Sequence, residues 1–228
     1  MHLKYVELHN LKVIPYPSHS IADIIAKSPL YSHLITKSQV TFIQCGTVDL
    51  LQAGDQWSRP HRYFDFIRQY SPLLDATALR DLCLQPSSPN LFTKHISHHL
   101  ESLVVDSIIH LIRHINSINP KSIIIFISIL PIPKYFNLLD QTRVNINSRI
   151  LNILSQKPNR IYIPAARAFL DPQNFNLPHL HLYAHREPHH EKVHLSSQGI
   201  KILESKIRHY LTPSNVKSKL QSQIKKKK

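Results

Sequence analysis

The sequence predicts an α/β protein built on a mainly parallel sheet, in three α/β/α layers, and three observations predict it. Short apolar runs rich in β-branched residues recur at 11–16 (LKVIPY), 39–45 (QVTFIQC) and 122–130 (SIIIFISIL), with a weaker one at 160–164 (RIYIP). Continuous apolarity, rather than alternation, marks strands covered on both faces. Stretches with apolar residues every three or four positions lie between these runs, and strand alternating with helix implies a parallel sheet with helices on both sides.

Taken in order, the run at 11–16 is followed by SIADIIAKS, a short helix for which Ser20 is the natural N-cap. The strand at 39–45 ends on Gly46, one of only three glycines in the chain. A glycine there supplies the backbone freedom that a strand-end turn requires. Asp49 then stands where it would cap a following helix. A long amphipathic helix is predicted near 93–117, a second at 135–156 and a last one at 197–211, after a loop rich in histidine and containing proline.

At 228 residues and 42% hydrophobic content, the chain is long enough for one sizeable core. The expected division is a domain over 1–212 and a disordered basic tail over 213–228, where Lys217, Lys219, Lys225, Lys226, Lys227 and Lys228 occur with no acid. Lys and Arg outnumber Asp and Glu by 28 to 14, and removing the six tail lysines still leaves 22 against 14. The domain itself is therefore basic, and RNA or another polyanion is the partner that this charge, the tail included, attracts. Further cations and histidines fall on the long helix (KHISHH at 94–99, HLIRHI at 110–115) and at Arg143, Arg149 and Arg160; shared on one face, they would bind phosphate. Two cysteines, Cys45 and Cys83, make no disulfide framework, and Cys45 reads as a small buried thiol. The longest apolar run is too short for a bilayer and is cut by Pro131 and Pro133, and no signal segment opens the chain. An intracellular protein, cytoplasmic or nuclear, with no membrane partner is the expectation.

Catalytic groups of an open α/β sheet collect in loops beyond the carboxyl ends of the strands, and CGTVDL at 45–50 is such a loop. Near the other end of the chain, EKVHLSSQG places Glu191 three residues before His194. A carboxylate at that spacing can fix the imidazole tautomer and leave the second nitrogen as a general base. The histidines at 179, 181, 185, 189, 190 and 194 include an H-x-H pair, but without cysteine or an ordered spacing they read as a solvated loop, so no metal is assigned and no motif calls for a cofactor.

Together these segments resemble the SGNH or GDSL hydrolases. Gly46-Thr47-Val48-Asp49 is similar to that family's third block, G-x-N-D at a strand end. Glu191-Lys192-Val193-His194-Leu195-Ser196-Ser197-Gln198-Gly199 is similar to its fifth, often D-G-V-H-L-S-x-x-G before the final helix. VIPYPSHSIADI looks like the second block, with Ser18 where a glycine would stand, and RVNINSRIL at 143–151 is like the asparagine-containing helix that precedes the fourth strand of many members. The resemblance runs from about residue 5 to 211 and implies a flavodoxin-like sheet. It also implies His194 as base, Glu191 as its orienter, backbone N–H groups near Ser18 facing an oxyanion, and Gly46, Val48 and Asp49 as the turn beside it.

The chain departs from that pattern. The first block, a strand ending in G-D-S with the nucleophilic serine, has no counterpart. The resemblance then implies either a longer parent chain carrying it upstream of Met1, or a degenerate or rearranged fold. Val48 replaces the asparagine that donates to the oxyanion, a loss of about 2.7 to 4 kcal/mol of transition-state stabilisation, and losing a nucleophile costs on the order of a millionfold. The expectation is an esterase scaffold with an incomplete catalytic site, inactive as it stands. The alternative is a basic RNA-binding module on the same fold: SGNH-like domains such as that of the germ-plasm protein Oskar have lost catalytic residues and bind RNA, and some retroelements and viruses encode SGNH-like domains.

Overall fold

The structure, a computed structural model, describes residues 19–57, 89–157, 159–184 and 194–210. It is α/β. Strands β1 (Val40–Ile43), β2 (Ile123–Ile127) and β3 (Arg160–Ile163) form a parallel sheet in the order β1-β2-β3. Val40 pairs with Ile123 at one end of the first ladder, and Ile127 with Ile163 at the far end of the second. Helices α1 (Ile21–Lys27), α2 (Ser32–Lys37), α3 (Thr47–Trp57), α4 (Pro89–Ile118), α5 (Phe136–Ser155) and α6 (Ser197–Tyr210) complete the described architecture.

Ile124 to Ile127 of β2 are all buried, as a strand covered on both faces requires. Alternation splits the strand residues between two cores. Ile43, Ile124, Phe126 and Tyr162 pack with α1, α4 and α5. Ile125, Ile127, Ile161 and Ile163 pack with Leu203 and Ile207 of α6 and with the chain after β3. Helices thus lie on both faces, compatible with three α/β/α layers. Ser20 caps α1 in a capping box: its hydroxyl accepts the Asp23 N–H at 3.2 Å while the Asp23 carboxylate accepts the Ser20 N–H at 2.9 Å. The predicted run at 11–16, Cys83 and the tail at 213–228 lie outside the described residues. No helix among the described residues is long and apolar enough to cross a membrane.

Candidate functional site

The parallel sheet has two ends, and the chain leaves every strand at one of them. At this carboxyl end Gly46 follows β1 with φ at +97°, a conformation costly for any residue with a Cβ. An added Cβ would also stand 2.6 Å from Ile129 Cδ1 in the loop after β2. That loop is held by α5: Asn147 Oδ1 accepts the Ile129 N–H at 2.9 Å, and Asn147 Nδ2 donates to the Ile129 carbonyl at 2.9 Å. The same carbonyl accepts Arg143 Nη1 at 3.2 Å, and Arg143 Nε is paired with Asp140 at 2.7 Å. One turn apart on α5, Arg143 and Asn147 are both buried and grip one residue. Ser128 Oγ, in the same loop as Ile129, accepts the Ala166 N–H at 2.9 Å and so joins the loop after β2 to the chain after β3.

Asp49 sits in the first turn of α3, yet its carboxylate does not close that helix alone. It is 3% exposed, and Oδ1 accepts the N–H of Ile21, 28 residues earlier, at 3.2 Å. Beyond the local role expected from the sequence, in which it meets its own amide, the group also serves the first turn of α1, whose leading N–H groups lack intrahelical acceptors. Oδ2 is buried with no hydrogen-bond partner. Burial pushes this acid up to about 6, against the opposing pull of the Ile21 and Asp49 amides. Val48 beside it is half-buried and carries no donor. Cys45 is buried, and its thiol is pushed up by burial and then by Asp49, as expected of an inert core residue.

His194 is exposed. Its carbonyl accepts the Ala184 N–H at 2.7 Å, and the adjacent Leu195 bridges Tyr183. The Tyr183 hydroxyl donates to the Pro131 carbonyl at 2.7 Å, so the segment that bears His194 is tied to the loop after β2. Ser196 caps α6 by accepting the Gly199 N–H at 3.1 Å. Gly199 is required because a Cβ there would collide with the Leu182 carbonyl oxygen. Within HLSSQG, Leu195, Ser196 and Gly199 therefore each have a structural role: a bridge, a cap and a close approach. Ser18, Glu191 and the tail lysines Lys217, Lys219 and Lys225 to Lys228 lie outside the described residues.

No family model matches the chain, and no curated protein matches it. The reading of the site rests on its geometry.

Arg143, Arg149 and Arg160 do not share a face. Arg143 is buried at the carboxyl end; Arg149 Nη1 donates to Ser102 of α4 at 3.2 Å; Arg160 opens β3 at the opposite, amino end. Sequence reasoning singles out no residue grouping at that amino end. A seam of hydroxyls crosses it, Ser38 to Thr41 at 3.0 Å and Thr41 to Ser122 at 3.0 Å, continued by Asn159 Nδ2 donating to the Ser122 carbonyl at 3.4 Å. Asn119 Nδ2 donates to the carbonyls of Ile35 at 2.9 Å and Ser38 at 2.8 Å, fastening the end of α4 to the approach to β1. Exposed Lys37, Lys121 and Lys157 stand on the three strand approaches so fastened, with Arg113 exposed on α4. Among the described residues no three groups of His, Cys, Asp or Glu are placed to hold a metal ion.

Proposed function

We propose that this chain is an SGNH/GDSL-hydrolase-like domain that has lost ester hydrolysis and serves as a nucleic-acid-binding module. One observation carries the reading: at the carboxyl end Asp49, Asn147 and Arg143 bond backbone groups, Arg143 also pairs with Asp140, and Lys134 and Arg167 lie over aromatic rings, whereas the cations at the amino end include none in an ion pair among the described residues. The kinship is supported by the order β1-β2-β3, which is what the last three strands of a flavodoxin-like 2-1-3-4-5 sheet would present. It is supported as well by the bond from Ile21 to Asp49, which brings the start of the second-block helix to the third-block turn. Val48 has no donor for an oxyanion, and Asp49 holds a helix. Binding through phosphate charge needs neither group.

The test is a filter-binding series with single-stranded oligouridine over a range of salt. Micromolar affinity that falls steeply with salt is the expected result, as for sequence-independent phosphate contacts; no retention at low salt overturns the reading. The second reading, a residual hydrolase with His194 as base and Glu191 as orienter, predicts turnover of p-nitrophenyl acetate that His194→Ala abolishes. The expected outcome is background hydrolysis in both proteins.

A further inference from the structure

Arg160 and Arg113 are an unusual pair. Arg160 has the same parity in β3 as Tyr162, which packs with α4 and α5, so strand alternation aims Arg160 at the face that α4 covers. Arg160 Nε is buried and has no hydrogen-bond partner. Its guanidinium is held below its ordinary value by burial first and then by the positive charge of Arg113, which places the two like charges near each other. Among the described residues no acid pairs with them, and the sequence has no Asp or Glu anywhere in 24–48, 107–139 or 141–170. Asp106, the nearest acid on α4, lies two turns before Arg113, about 10 Å along the helix axis. A buried, unsatisfied guanidinium donor beside a second cation is costly unless an acceptor meets it. Phosphate oxygens meet such forks in pairs.

The remaining cations extend this point into a track. Lys37, Lys121 and Lys157 precede β1, β2 and β3 respectively, and neighbouring strands lie about 4.8 Å apart, so their approaches span about 10 Å across the sheet. That reach suits successive phosphates of a chain better than one small anion. We infer that the amino end of the sheet, with Arg113 and Arg160 at its centre and Lys37, Lys121 and Lys157 along it, is a phosphate-binding surface for single-stranded nucleic acid. The inference rests on the nucleic-acid reading above and gives it a location in the folded domain, separate from the lysines at the end of the chain.

The experiment compares four full-length proteins for binding to oligouridine: wild type, Arg113→Ala/Arg160→Ala, Arg113→Lys/Arg160→Lys, and a form with all six tail lysines changed to Gln. The double alanine variant should bind at least tenfold more weakly. Its dependence of log affinity on log salt should be shallower by about 1.4, from two lost contacts to a single strand. The double lysine variant should recover part of the affinity. If wild type binds and the alanine variant binds equally well, the location is wrong while the function stands, and the tail variant will show the loss instead. If wild type does not bind, both fall. Arg113→Glu, a single change at an exposed helix position, keeps the test decisive if the double variant fails to fold: it too should weaken binding at least tenfold, and an unchanged affinity overturns the site.

Discussion

At the carboxyl end of the sheet Asn147, Arg143, Ser128 and Asp49 each bond a backbone group of another element, and an acid follows every strand: Asp49 after β1, Asp140 after β2 and Asp171 after β3. At the amino end the hydroxyls and amides of Ser38, Thr41, Ser122, Asn119 and Asn159 also join neighbouring loops, but the charged groups there are, among the described residues, all cations. The carboxyl end of such a sheet is where ligands ordinarily bind. Here Asn147, Arg143, Ser128 and Asp49 hold the molecule together, and the exposed cations Lys134 and Arg167 lie over the rings of Tyr135 and Phe175, whereas Lys37, Lys121, Lys157 and Arg113 are exposed at the other end with no ion pair among the described residues. The difference teaches that an α/β sheet positions side chains at both ends, and that the charge each end offers depends on what the fold sets against it.

That contrast makes substitutions at the two ends separable, since changes at the carboxyl end should alter stability without altering RNA affinity. The largest effect belongs to Gly199→Ala. Its Cβ meets the Leu182 carbonyl, a main-chain atom with little room to shift, and a loss of about 3 kcal/mol is expected in urea unfolding.

Next comes Asp49. Its folded value of about 6 stands above the ordinary 3.8, so between roughly pH 4 and 6 the folded chain holds more protons than the unfolded chain. Stability should therefore be greatest below that window and fall by about 3 kcal/mol as pH rises through it. Asp49→Asn keeps an acceptor for Ile21 and should flatten this dependence, raising the melting temperature at pH 7; a variant that retains the slope would show that another group causes it.

Asn147→Ala should destabilise by about 2 kcal/mol, because the Ile129 N–H loses its partner while the carbonyl retains Arg143. At the amino end, Lys121→Gln with Lys157→Gln should change stability by no more than about 0.5 kcal/mol, as for surface positions, while weakening RNA binding. A large loss of stability there would erase the distinction between the two ends.

Much of the layout was legible in the sequence. The β-branched runs became β1, β2 and β3, and Ser20 became the cap of α1, because burial on both faces and capping act over a few residues. The final helix begins within a residue of its expected start for the same reason: Ser196 and Gly199 act locally. Long-range partners were not legible. Nothing near Asp49 announces Ile21 as the group it serves, and the i, i+4 spacing of Arg143 and Asn147 shows a shared face without showing Ile129 against it. Whether Arg143, Arg149 and Arg160 share a face could not be read from the sequence; they do not, because two lie on α5, pointed at different neighbours, and the third on a strand. The stretches empty of carboxylates could have been counted beforehand; only the register sets the approaches that carry Lys37, Lys121 and Lys157 side by side.

The central place of β2 has a dynamic consequence. Its residues Ile124 to Ile127 are at most 3% exposed and are laddered on both sides, whereas β1 begins at Val40, 37% exposed, with no described strand along its outer edge. Deuterium uptake should therefore be graded across the sheet: β2 amides exchange only when the whole domain opens, while amides at the exposed start of β1 exchange through small, frequent excursions.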